Sequence, residues 1–192
     1  MRRYILTGTP GSGKTAILRM LEVRGHCVVE EAATDVIALE AARGVAEPHA
    51  DAGFVERILA LQINRRNAAA NGTDLQFHDR SPVCTLALAR YLGRPVSPAL
   101  AAELTRIRSG EIYEDHVFFI RNLGFCTPTE ARRISFEECL KFERLHEEVY
   151  QSSGYTLETV DAGPLCERVE HIVAAVARWE RPAADPAIKA PG

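Results

Sequence analysis

Gly8-Thr9-Pro10-Gly11-Ser12-Gly13-Lys14-Thr15 is the stretch on which the reading of this chain turns. It fits the pattern G-x-x-x-x-G-K-[ST] at every fixed position. The apolar run Tyr4–Thr7 precedes it. A helix predicted over Lys14–Arg24 follows, with Ile17, Leu18 and Leu21 on one face and Gly25 as its stop. Glycines let the backbone curl so that successive N–H groups point inward at phosphate oxygens. The helix start adds its own free N–H groups and the positive end of its dipole. In this pattern the lysine, here Lys14, reaches the outer phosphates, and the hydroxyl of Thr15 faces Mg²⁺. All eight residues, Gly8, Thr9, Pro10, Gly11, Ser12, Gly13, Lys14 and Thr15, are therefore expected to cradle a nucleoside triphosphate.

Outward from that loop, short apolar runs alternate with longer amphipathic ones. Further strands are expected at Cys27–Glu30, Asp74–Asp79, Val117–Ile120 and Tyr155–Val160. Helices are expected at Thr34–Arg43, Phe54–Ala70, Pro82–Leu92, Pro98–Arg108, Ser135–Ser152 and Pro164–Glu180, with a turn at Asn71-Gly72. Strands alternating with helices imply an α/β fold, a three-layer αβα arrangement around a five-stranded parallel sheet. The chain has 192 residues, enough for one domain with a sizeable core. That domain is expected over residues 1–180, with the Pro- and Ala-rich residues 181–192 as a disordered tail.

In such folds ligands bind beyond the carboxyl ends of the strands. Those ends fall at Thr7–Thr15, Glu30–Ala33, Asp79–Ser81, Ile120–Phe125 and Asp161. Asp79, ending an apolar strand beside the phosphate loop, suits a Mg²⁺ ligand, direct or through water. Arg80 suits a bridge to phosphate or acceptor. The competing reading is that Asp79 and Ser81 cap the helix that begins at Pro82. Glu31, or else Glu30, would face the crevice opposite the phosphate loop and accept a proton from an acceptor hydroxyl. Alternatively, both acids serve only to offset the dipole of the next helix. The turn-rich segment from Asn122 to Arg133 carries Arg132 and Arg133. These would deliver guanidinium groups to the transferring phosphoryl group, or else are surface basicity balanced by Glu130, Glu137 and Glu138.

Composition narrows the classes. The net charge is −3, so no global basic field exists for nucleic acid or an anionic membrane. No apolar run approaches the roughly 20 residues needed to span a bilayer. Gly8 and Pro10 cut the N-terminal apolar run too short for a signal peptide, and a cytoplasmic protein is expected. The cysteines, Cys27, Cys84, Cys126, Cys139 and Cys166, are odd in number and lack a Cys-x-x-Cys pair, so they read as packed thiols. None of the six histidines has metal-ligand spacing. The Glu-rich helix Ser135–Ser152 reads as a solvated face with internal ion pairs around Glu143, Arg144, His146 and Glu147. Trp179 is expected to pack the last helix down.

With these residues placed, the chain resembles the P-loop kinase group. It is most similar to the small AAA-type predicted ATPases and kinases, which are related to deoxynucleoside kinases and the ribosylnicotinamide kinase domain. Val29-Glu30-Glu31-Ala32-Ala33 resembles the Glu-Ala-Ala motif after the second strand, where deoxynucleoside kinases place an acid that activates the sugar hydroxyl. Asp79-Arg80-Ser81 resembles their acid-Arg-Ser motif, and Arg132 and Arg133 stand where lid arginines would. The resemblance implies strand order 2-3-1-4-5. Against it, Gln62, Asn64, Phe54 and Arg65 lie on a helix and form no clear nucleobase-holding set. No second acid follows Asp79, as in ring-forming machines, and Ile120-Arg121-Asn122-Leu123 does not specify guanine.

The expectation is an ATP- and Mg²⁺-dependent phosphotransferase acting on a small nucleoside- or nucleotide-like acceptor. The alternative is a regulatory ATPase, hydrolysing slowly and signalling through a lid, with no small acceptor. Residues alone leave open the acceptor, ATP against GTP, and the oligomeric state.

Overall fold

The computed structural model describes residues 1–69, 74–125 and 135–180. Asn71-Gly72, Cys126, Glu130, Arg132, Arg133 and the tail 181–192 lie outside the described residues. The strands are β1 (Arg2–Thr7), β2 (Cys27–Val29), β3 (Leu75–Asp79), β4 (His116–Ile120) and β5 (Thr156–Val160). The helices are α1 (Lys14–Val23), α2 (Ala33–Ala42), α3 (Phe54–Ala68), α4 (Pro82–Tyr91), α5 (Pro98–Ser109), α6 (Phe136–Ser152) and α7 (Leu165–Trp179). Each expected element is present, with ends moved by a residue or two. One short 3₁₀ turn, Pro48–Ala50, was not anticipated.

All strand pairs are parallel, and the order is β2-β3-β1-β4-β5, as the resemblance implied. Strand residues alternate between two buried faces. Ile5 and Val117 point into a core with α3, α4, α5 and α6, through Leu59, Val83, Leu100 and Val149. Leu6, Phe118 and Ile120 point into the other, with α1 and α7, through Ile17, Leu21, Val169 and Ile172. Each such fully buried side chain contributes about 1.5–3 kcal/mol through removal from water. Trp179 closes the second core, stacked on His116 at 4.4 Å and tilted against Tyr4 at 5.6 Å.

The register brings the carboxyl ends of the central strands to one edge. Leu6 stands beside Asp79 and Phe118, and Thr7 beside Phe119. The chain leaves β1 there in a sharp turn at Gly8, whose φ is 131°. A Cβ at this position would collide with the carbonyl of Ile120. Only glycine allows the loop to start so close to β4.

One expectation for α6 is corrected. Glu143 and His146 are 6% and 0% exposed and belong to the buried stripe with Cys139, Phe142, Val149 and Tyr150. Glu143 pairs with Arg121 rather than with Arg144 or His146, and Glu147 also pairs with Arg121. The solvated outer face does exist, and carries the Lys141–Glu137 pair. The helix begins as the sequence suggested, in a capping box between Ser135 and Glu138.

Candidate functional site

Gly11, Gly13, Lys14 and Thr15 line a cavity of about 210 Å³ together with Glu31, Asp79 and Arg80. Loop, second-strand end and third-strand end thus meet in one hollow at the carboxyl edge of the sheet. A larger hollow of about 470 Å³ lies just before β4, at the opposite edge, lined by Ile107, Arg108, Glu111, Tyr113, Glu114 and Asp115. It has no glycine loop, and Arg108 is already paired with Asp115 across it.

The loop wall is made of backbone. Gly11 and Gly13 have φ of 78° and 84°, in the left-handed region that glycine tolerates. Gly13 caps the start of α1 without a side-chain bond to the helix N–H groups. An anion can therefore take that capping role. Lys14 Nζ donates to the carbonyls of Gly8 at 3.0 Å and Thr9 at 2.6 Å, and to Ser12 Oγ at 3.1 Å. The ammonium is thus held over the loop by neutral oxygens. Triphosphate oxygens would be stronger partners for it. Thr15 is exposed into the cavity.

The facing wall is made of side chains. Glu31 and Glu30, equivalent in sequence, part ways in the structure. Glu30 is exposed and pairs with Arg19 on α1, outside the cavity. Glu31 turns inward, accepting from Thr34 Oγ1 at 2.6 Å and from Arg80 Nε at 2.6 Å. Arg65 holds the backbone carbonyl of Glu31 from outside and pairs with Asp35.

Arg80 is a strained residue, with φ of 73° in a non-glycine. Such backbone costs about 1 kcal/mol and persists only where the surroundings hold it. Its N–H donates to the Leu6 carbonyl at 3.0 Å. Its guanidinium is fixed between Glu31 and His146, whose Nε2 lies 3.2 Å from Nη1. Burial opposes the Arg80 charge, but Glu31 and Asp79 hold it on, and the net shift is upward. His146 is the reverse case. Burial first, and then Arg80, push its pKa down to about 3. It is therefore neutral, donating from Nδ1 to the Phe142 carbonyl at 2.9 Å and offering Nε2 to Arg80.

Behind both walls lie buried braces. Glu143 accepts from Asn122 N and Nδ2 at 3.2 and 3.0 Å, Arg121 at 3.3 Å, and Thr9 Oγ1 at 3.5 Å. It ties the phosphate loop to the end of β4. Tyr150 OH lies 2.8 Å from Ser81 Oγ and 3.0 Å from Cys84 Sγ, and Cys84 lies 3.2 Å from Thr7 Oγ1. Burial raises the Tyr150 phenol well above its ordinary pKa, so it stays protonated and able to donate. Arg168 of α7 donates from Nη2 to the Ser12 carbonyl at 2.8 Å and to the Arg121 carbonyl at 3.3 Å.

Of the expected residues, the structure brings Lys14, Thr15, Glu31, Asp79 and Arg80 together on one cavity and leaves Glu30 outside it. Asp161, at the end of β5, is exposed and does not line the cavity. Ser81 caps α4, accepting from Val83 N at 3.2 Å, so the helix-cap reading holds for this residue. Gln62 is engaged by Thr85 and the Ser81 carbonyl, and Phe54 is core. Sequence reasoning missed Glu143, His146 and Arg168. A signal existed, since all three fall in step with the apolar residues of their helices. Among the described residues no three His, Cys, Asp or Glu side chains could hold a metal together. A hydroxyl and a carboxylate on one cavity, as with Thr15 and Asp79, do fit Mg²⁺. That ion keeps most of its shell for water and phosphate.

Comparison with known proteins bears on this site. A family model described as AAA domain matches residues 3–168, most of the chain. The chain belongs to the AAA domain family. This membership makes it a P-loop nucleotide-binding enzyme of the kinase or ATPase type. No curated protein matches it. Among solved structures it is similar to the deoxyadenosine kinase of M. mycoides with products dCMP and dCDP bound. There the TM-score is 0.57 at 15% identity, covering 93% of this chain and 100% of that one. It is also similar to that kinase with dATP bound, with a TM-score of 0.55 at 14% identity, covering 91% and 99%. At such identity the likeness is one of fold. For this AAA domain protein, no helix among the described residues is long and apolar enough to cross a membrane.

Proposed function

We propose that this protein transfers the γ-phosphoryl group of ATP to a hydroxyl of a small, nucleoside- or nucleotide-like acceptor. One observation carries the reading. The Glu31 carboxylate lines the same small cavity as Lys14, Thr15 and the loop glycines, facing them across it. An acid held on that wall, across from the phosphate loop, is placed to take the proton of an acceptor hydroxyl. The solved kinase of like fold, with dATP in one structure and dCMP and dCDP in another, lends support to a nucleotide-like acceptor.

In this reading the loop N–H groups and Lys14 hold the triphosphate, with Lys14 leaving its loop carbonyls for the outer phosphates. Thr15 and Asp79 would hold Mg²⁺, whose contribution when bound is to neutralise phosphate charge. Glu31, oriented by Thr34 and Arg80, takes the proton of the acceptor hydroxyl. That oxygen forms its bond to the γ-phosphorus as the bond to the β-bridging oxygen breaks. ADP leaves with the electron pair. Arg80, kept charged, faces the negative charge spread over the transferring group. Arg132 and Arg133 would act on the same charge from the segment after β4.

The test is ATP turnover with Mg²⁺, alone and with a panel of nucleosides, nucleotides and other small hydroxyl compounds. The reading expects one compound to speed turnover by orders of magnitude and to emerge phosphorylated. The family match, an AAA domain, also accommodates a second reading, a slow regulatory ATPase. Phosphate release indifferent to every acceptor, with a partner protein binding only the ATP-loaded form, would select it.

A further inference from the structure

Arg66, Arg80 and Arg168 are the buried arginines of the described chain, at 4%, 9% and 5% exposure. Two of them have acids. Arg66 pairs with the buried Glu103 at 2.6 Å, and Arg80 with Glu31 at 2.6 Å. Arg168 has none. Its hydrogen bonds are to two carbonyls, of Ser12 and Arg121. Its Nε is buried without a hydrogen-bond partner. Burial lowers its pKa, and no acid among the described residues acts to restore it. A buried charge without a counter-charge is expensive, and an anion bound nearby offsets that cost.

Its location says what arrives. Nη2 holds the carbonyl of a phosphate-loop residue, Ser12. Nη1 lies 2.8 Å from where a Cβ on Gly13 would stand. The guanidinium is therefore packed against the outer, carbonyl side of the loop, behind the N–H groups that open toward the anion site. Drawing the Ser12 carbonyl outward also helps keep the neighbouring N–H groups turned inward.

We infer that Arg168 is a positioning residue of the phosphate loop and that the nucleotide's phosphate chain supplies its missing counter-charge. The loop cradle thus has a buried cation behind it, contributed by the last helix, as well as Lys14 in front. The inference rests on the reading of the loop as a triphosphate site.

Two variants separate charge from packing. Arg168→Gln keeps an amide donor for the carbonyls and removes the charge. Arg168→Lys keeps the charge and loses the fork. Displacement of a fluorescent ATP analogue by ATP, ADP, AMP and inorganic tripolyphosphate gives the affinities, with the thermal midpoint as the folding control. Arg168→Gln is expected to weaken ATP and tripolyphosphate about tenfold, ADP less and AMP least, while Arg168→Lys keeps most of the ATP affinity. An equal loss for all four ligands, or no loss, overturns the inference and leaves the loop reading standing. Failure of the wild-type protein to bind ATP or tripolyphosphate overturns the loop reading, and the inference with it.

Discussion

The two walls of the cavity are built in opposite ways. The loop wall comes from eight consecutive residues, Gly8 to Thr15, of which Gly11, Gly13, Lys14 and Thr15 line the cavity. The facing wall joins Glu31, Asp79 and Arg80, with His146 behind, from three separate parts of the chain, the ends of β2 and β3 and helix α6. Backbone in a glycine turn sets most of its own shape, and Glu143 and Arg168 brace it from behind. Side chains must be held by other side chains, as Glu31 is by Thr34 and Arg80, and Arg80 by Glu31 and His146. The loop wall should therefore respond to losses of local geometry or charge. The facing wall should respond to changes far away in sequence.

The largest effect is expected at Lys14. Lys14→Ala removes the cation that must follow the outer phosphates, and steady-state ATP turnover should fall roughly a thousandfold. Turnover kept within tenfold would mean that the loop wall does not carry the chemistry, and the contrast between the walls would collapse.

Next comes the facing wall. Glu31→Gln should lower acceptor phosphorylation about a hundredfold, with little change in ATP affinity. Glu30→Gln should change neither, because Glu30 faces Arg19 outside the cavity. The pair sharpens the comparison, since the two acids are adjacent in sequence and only the fold tells them apart. A larger loss at Glu30 would place the base on the wrong side of the strand end.

How much was readable beforehand follows the same division. The two central strands β1 and β4 carry continuous buried apolar runs at Tyr4–Leu6 and Val117–Ile120, and strands buried on both faces leave no polar face to confuse the reading. The loop was readable because its residues are contiguous and its chemistry needs glycine at set places. Asp79 and Glu31 were found by asking what stands at strand ends. Glu143, His146 and Arg168 were not found, for a shared reason. Helix periodicity looks for apolar faces, yet α6 and α7 each turn part of their buried face toward a polar site. A buried glutamate in an acidic helix then reads as solvated. The residues in step with Phe142, Val149 and Tyr150 are the ones to query in such a helix.

A smaller effect is expected where the walls touch. Gly13→Ala puts a side chain at φ 84°, against Arg168 Nη1 at 2.8 Å. The left-handed backbone alone costs about 1–2 kcal/mol, so ATP affinity should fall roughly tenfold or more as the loop shifts. Titration with ATP checks this. Unchanged affinity would show that the loop wall tolerates what its geometry forbids.

The smallest effect concerns the support of the facing wall and is read by pH. His146 is neutral in the fold, its pKa lowered from 6.5 to about 3 by burial and by Arg80. The groups facing it are Arg80 and Lys14, which disfavour its proton, and the Phe142 carbonyl and Glu31, which favour it. The sign is therefore fixed. Between pH 6.5 and 3 the unfolded chain takes up a proton that the native state refuses, so stability falls as pH falls through that window. From pH 7 to pH 5 this one group removes about 2 kcal/mol. His146→Gln keeps an acceptor for Arg80 and removes the titration. Urea midpoints at pH 7 and pH 5 should therefore converge in the variant relative to wild type. The remaining slope belongs to the other groups, including His78, which burial also lowers to about 3. Equal slopes in the two proteins would mean that His146 takes up its proton inside the fold. The imidazole would then repel Arg80 instead of holding it, and Glu31 would lose the brace that orients it.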